Sequence, residues 1–151
     1  MTDSMESDVP CRAVCIARTW IGTPYHHQAS LKGAGTDCLG LVRGVWRELY
    51  GTEAETPPSY SPDWAETGGV ETMIGAARRH LIEIDPRQIA AGDVLIFRLR
   101  TGMVAKHAGL VGQPVPGAMT MIHAIEGAPV AEVALSGWWR RRIAAAFRFP
   151  I

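Results

Sequence analysis

The hydrophobic period of this chain changes once, at Gly92-Asp93, and no other feature restricts the fold as much. Ahead of that point apolar residues recur at the spacing of helix faces. Behind it they gather into short runs separated by glycine and proline turns. The first part predicts a helix over about 8–20, with Ser7 as its cap and Pro10 accommodated in the first turn. A second helix starts at Cys38 and ends near Tyr50-Gly51, and a third spans 70–81. The second part predicts strands at 94–99, 107–111, 120–126, 130–135 and 145–149. Helices followed by an antiparallel sheet of about five strands make an α+β arrangement, not the alternation of a doubly wound fold.

A length of 151 residues suits a single domain, 1–151, with 1–7 expected to be flexible. Residues 55–63, with Pro57, Pro58 and Pro62, read as an ordered loop. Lysine plus arginine (15) equals aspartate plus glutamate (15), so no net field draws the chain to nucleic acid or an anionic membrane. No apolar run approaches the ~20 residues of a membrane span, and no membrane insertion is expected. Residues 1–10 are acidic and polar, which predicts synthesis in the cytoplasm and any export by a route other than a signal peptide. Three cysteines argue against a disulfide framework. Cys11 and Cys15 stand one turn apart on the first helix and are expected as small core residues.

Cys38 differs from the other two cysteines. It follows a glycine-rich loop, and from it apolar residues fall at Leu41, Val42, Val45, Trp46 and Leu49, opposite Arg43, Arg47 and Glu48. Asp37 suits the N-cap. A thiol at a helix start meets free amides and the positive end of the dipole, so the thiolate is expected near neutral pH. The thiolate is a nucleophile and requires a base.

Of the five histidines, two fit that need. His107 opens a strand, and His123 lies inside the next. The connection at 112–118, with two prolines and two glycines, suits a hairpin centred near Val115 or Pro116. That register places His123 diagonally from His107 on the same sheet face, within roughly 7 Å. Cys38 then serves as nucleophile, His107 as base and acid, and His123 as the group that fixes the tautomer of His107. The Cys38 amide and the Tyr25 hydroxyl are candidate oxyanion donors, and Tyr25 and Asp37 are assigned to the substrate side of the site. His26 and His27 are expected on a loop surface and His80 on a helix face. Trp138 and Trp139 before Arg140, Arg141 and Arg142 read as a solvated edge with two anchoring indoles.

The stretches Trp20-Ile21-Gly22-Thr23-Pro24-Tyr25, Asp37-Cys38-Leu39-Gly40-Leu41-Val42, Gly92-Asp93-Val94-Leu95-Ile96-Phe97, Lys106-His107-Ala108-Gly109 and Ile122-His123-Ala124 resemble the NlpC-type cysteine peptidases. These are papain-like enzymes that cut the peptide stems of bacterial cell walls. The resemblance runs over nearly the whole chain. It implies a helical subdomain packed on an antiparallel sheet, with Cys38, His107, His123 and Tyr25 around the cleft between them. Phe147-Arg148-Phe149-Pro150 and the run from Pro58 to Trp64 are similar to the branch found in phage tails and gene-transfer agents. Leu39 departs from the family, which usually carries serine after the cysteine.

The leading expectation is a thiol endopeptidase acting on peptidoglycan stem peptides, needing no cofactor or metal. A phage-tail-like particle would carry it to the wall, with that particle's proteins as its other partners. The alternatives are an acyltransferase or amidase using the same three residues, a non-catalytic tail component, and metal binding by Cys38, His107 and His123.

Overall fold

The computed structural model describes residues 8–56 and 71–151. The expected flexible stretch 1–7, Ser7 as a cap, and residues 57–70 with most of the proline-bearing loop lie outside the described residues.

Helix α1, Val9–Thr19, is capped by Asp8, whose carboxylate accepts from the Cys11 amide at 3.2 Å. Pro10 sits in its first turn, as the sequence predicts. Its inward face is Val9, Ala13 and Ala17, continued by Trp20 beyond its end. Cys11 and Cys15 fall on the opposite side and are exposed, which corrects their expected place in the core. One-turn spacing puts two residues on a common face, but it does not say which face the core takes.

A two-stranded ribbon, β1 (Ser30–Leu31) and β2 (Gly35–Thr36), leads into helix α2, Cys38–Tyr50. Asp37 caps α2 by accepting from the Gly40 amide at 2.7 Å. Gly51 closes it in the left-handed conformation, φ +79°. The helix meets its neighbours closely enough to demand glycine twice. A Cβ at Gly44 would stand 2.1 Å from the Trp20 ring, and one at Gly40 would stand 2.0 Å from the Ala29 carbonyl oxygen. The second contact is with backbone and cannot yield by a rotamer change. Gly40→Ala is therefore expected to cost roughly 3 kcal/mol and to push the 25–36 loop off the helix start. A drop in the denaturant midpoint checks this, and an unchanged midpoint would refute the close approach.

Helix α3, Thr72–His80, and the short helix α4, Gly137–Arg140, complete the four α-helices among the described residues. The main sheet is antiparallel and six-stranded, in the order β3-β8-β4-β5-β6-β7. Its strands are β3 (Ile82–Ile84), β4 (Val94–Phe97), β5 (His107–Val111), β6 (Thr120–His123), β7 (Ala131–Ala134) and β8 (Ile143–Arg148). The α+β class holds, with one strand more than expected. That strand, β3, is a three-residue edge strand paired only to β8 and largely exposed, so it shows no apolar run.

Both sheet faces are covered, which is why Val94–Phe97 is apolar throughout instead of alternating. Val94, Ile96, Ala108, Leu110, Ile122 and Phe147 pack toward Ala13, Ala17, Leu41, Val45 and Met73. Leu95, Phe97, Val111, Met121 and Ala146 form the second cluster, with Leu135 and the partly buried Trp139 against it.

Candidate active site

Three elements converge at one end of the sheet: the start of α2, the start of β5 and the end of β6. β5 and β6 pair as Leu110↔Ile122 and Val111↔Met121, which is the register expected from the 112–118 connection. It sets His123 opposite Gly109, where a Cβ would meet the His123 Cβ at 3.4 Å. His107 and His123 thereby share a face, and Nε2 of His107 lies 2.9 Å from Nδ1 of His123. Both rings are buried, at 6% and 5% exposure.

Cys38 reaches the same strand from the other side. Its thiol donates to the Lys106 carbonyl at 3.8 Å, and the Ala108 amide favours its thiolate form. The sulfur thus rests against the main chain on both sides of His107, outside the β5–β6 ladder. Its resting partner is the carbonyl, not the imidazole. The second ring nitrogen of His107, Nδ1, makes no hydrogen bond among the described residues. Nδ1 is thus the ring nitrogen of His107 that His123 leaves unengaged.

Burial pushes the Cys38 thiol up to about 12, helped by the Asp37 charge and opposed by the amides of Ala108, Leu39 and Cys38. This corrects the expectation of a free thiolate near neutral pH, because desolvation outweighs the amides at the helix start. Burial also pulls His107 down to about 3, with the neighbouring His123 adding to the effect, and lowers His123. The resting state is a thiol beside two neutral imidazoles.

A pH dependence of stability follows. Two histidines held neutral by the fold titrate below 6.5, so the unfolded chain takes up protons first on acidification. Their contribution is complete above about 6.5 and is lost as pH falls through that value toward about 3. The urea midpoint should decline across this window, and His107→Gln should flatten the decline. An equally steep decline in that variant would refute the assignment.

Tyr25 packs beside Cys38 at the core margin and forms a bridge to Thr36. Burial, with the Cys38 and Asp37 charges, pushes its hydroxyl up to about 12, so it stays a protonated donor. Asp37 is buried, and its oxygens accept from the Gly40 amide at 2.7 Å and the Gln28 amide at 2.8 Å. Through these two bonds it holds the loop to the helix start, directly before Cys38. Leu39 lines an apolar cavity of about 100 Å³ with Val42, Met73, Ala77 and Ala108. Among the described residues no group of three His, Cys, Asp or Glu side chains is disposed to hold a metal ion.

Sequence reasoning missed Trp139. Its ring packs on Phe97, His107 and His123 with centroids 5.1, 5.3 and 5.3 Å away. Only one of the two indoles anchors in this way, since Trp138 is 45% exposed. The adjacent tryptophans followed by arginines were the available signal, but helix α4 turns one indole inward over the imidazoles and leaves the other outside.

Comparisons with known proteins agree with this arrangement. The chain is 30% identical over 150 residues to the gamma-DL-glutamyl hydrolase of Bacillus subtilis, covering 97% of this chain and 30% of that protein. It therefore spans about a third of the length of this curated relative. The NlpC/p60 domain of the peptidoglycan hydrolase SagA superposes with a TM-score of 0.64 at 21% identity, covering 93% of this chain and 98% of that one. NlpC2 of Trichomonas vaginalis gives 0.67 at 17% identity over 95% of this chain and 47% of its own. A lipoprotein-like NLP/P60 protein of Staphylococcus aureus gives 0.65 at 18% identity over 96% of this chain and 42% of its own. The profile of the NlpC/P60 family matches residues 22–148, and the chain belongs to that family of cysteine peptidases and amidases.

Proposed function

We propose that this domain hydrolyses amide bonds in peptidoglycan stem peptides by covalent thiol catalysis, with Cys38 as nucleophile, His107 as base and His123 as its orienting partner. The carrying observation is the 2.9 Å contact between the two imidazoles beside a half-buried thiol. If Nε2–H of His107 donates to Nδ1 of His123, the lone pair of His107 lies on Nδ1, the nitrogen that His123 leaves unengaged. Rotation of the Cys38 side chain away from the Lys106 carbonyl brings the thiol proton to that lone pair. The sulfur then attacks the amide carbon. The proton on His107 passes to the leaving amine as the C–N bond breaks, and a thioester remains on Cys38. Water, deprotonated by the same nitrogen, releases the acid and restores the thiol. The Cys38 amide and the Tyr25 hydroxyl donate to the oxyanion. Because proton transfer within the pair creates the thiolate, a resting thiol near 12 is compatible with a working nucleophile.

Two relatives support the substrate class: the SagA domain is named a peptidoglycan hydrolase, and the Bacillus subtilis protein a gamma-DL-glutamyl hydrolase. Bonds to the γ-carboxyl of glutamate are the linkage to test first. Mass analysis of muropeptides digested with the purified protein and with Cys38→Ala should show new amine and carboxyl ends in the first sample alone. Identical fragments from both would refute the mechanism. We place the protein in a phage-tail-like or gene-transfer-agent particle acting at the wall, on the likeness of Phe147-Arg148-Phe149-Pro150 and the run from Pro58 to Trp64 to that branch. Enrichment in purified particles is the expected result, and confinement to the cytosol would overturn it.

A further inference from the structure

A cleft of about 850 Å³ at the same end of the sheet is lined by Arg98, Arg100, Thr101, Arg141 and Arg142. It lies where β4 ends and β8 begins, and a chain of ring contacts joins it to the histidine pair. Trp139 packs on His107, and Trp138 packs on Trp139 with centroids 4.9 Å apart. The Arg142 guanidinium lies 3.7 Å from the centre of the Trp138 ring. Arg142 is fixed further by donating to the Trp138 carbonyl at 2.8 Å. Arg98 is neutralised by Glu71 at 2.5 Å. Arg100, Arg140 and Arg141 are exposed, and their side chains have no ionic or hydrogen-bonding partner among the described residues. Among the described residues, Arg100, Arg140, Arg141 and Arg142 thus have no anionic partner and stand beside one exposed indole. Exposed arginines elsewhere in the molecule are paired, as Arg18 is with Glu132, Arg78 with Glu83 and Arg87 with Asp85.

We infer that this arginine cleft is a docking surface for the carboxylates of the substrate chain beyond the bond being cut. The inference rests on the proposed hydrolase function. A γ-linked glutamyl peptide keeps a free α-carboxylate beside each amide, so it presents a row of anions of the kind that guanidinium forks bind. Arg142 packs on Trp138, Trp138 on Trp139 and Trp139 on His107, so one run of side chains joins the cleft to the histidine pair. Removing guanidinium groups should then weaken binding and raise KM while leaving kcat nearly unchanged.

Fluorescence anisotropy of a labelled γ-linked glutamate oligomer with the Cys38→Ala protein tests this without turnover. Arg100→Gln with Arg141→Gln should weaken binding by about tenfold at low salt. Arg87→Gln should not weaken it, and a neutral γ-glutamine oligomer should not bind. Equal affinity in the double variant, or tighter binding of a single-stranded oligonucleotide of the same charge, would overturn the proposal. Arginine-dependent binding by a protein whose parent cleaves no peptide would refute the hydrolase reading and keep the surface. Cleavage with binding and KM indifferent to both arginines would do the reverse.

Discussion

Replacing Cys38 with serine should lower the rate of stem-peptide hydrolysis by at least about 10⁴-fold while the protein keeps its fold. Serine nearly matches cysteine in size, and the bond that the thiol donates to the Lys106 carbonyl can be made by a hydroxyl. The loss would therefore be chemical. Burial already holds the thiol near 12 against a histidine near 3, so forming the thiolate–imidazolium pair costs free energy that the amides of Cys38, Leu39 and Ala108 only partly return. An alcohol is a weaker acid than a thiol by several orders of magnitude, and the same site offers nothing further to stabilise its oxyanion. Initial rates on purified muropeptides, read beside thermal unfolding of both proteins, separate this effect from misfolding. A serine variant within tenfold of the parent would show that the hydroxyl suffices, or that Cys38 is not the nucleophile.

The parts of this molecule legible in its sequence are those governed by local rules. Asp37 as N-cap, Gly51 as C-cap and Pro10 in a first turn follow from the geometry of helix ends. The pairing of His107 with His123 was legible because the length of the 112–118 connection fixes the register, and alternation of side chains then fixes the face. What was hidden depends on three-dimensional surroundings. The acidity of Cys38 follows from how little water reaches it, which no residue nearby in sequence reveals. Cys11 and Cys15 point outward because Val9, Ala13 and Ala17 take the inward stripe, a choice made by the packing of α1. Trp139 reaches the imidazoles across the second sheet face from a four-residue helix that lacks enough turns to show a period. The family resemblance located the three polar residues but was silent on this indole and on the arginines that follow it.

His123 offers the sharpest separation between orienting a base and merely filling space. His123→Ala should reduce kcat by about 10²- to 10⁴-fold, because His107 loses the acceptor that keeps its proton on Nε2. Without that acceptor the proton can sit on Nδ1, the nitrogen that must receive the thiol proton, and that fraction of the enzyme is inactive. His123→Asn should recover much of the rate. The asparagine Oδ1 is separated from Cα by the same number of bonds as histidine Nδ1, so it can accept from Nε2–H at nearly the same point. The two variants also differ in acid. The parent loses activity when His123 protonates, since its Nδ1–H then forces a lone pair onto Nε2 of His107 and the proton onto Nδ1. Burial lowers the His123 value, which places this limb below 6.5. Asparagine does not titrate, so its acid limb should move lower, to the protonation of His107 itself. Profiles of kcat against pH for the parent and both variants measure this directly. Equal rates for the alanine and asparagine variants would mean that His123 only supports the packing beneath Trp139.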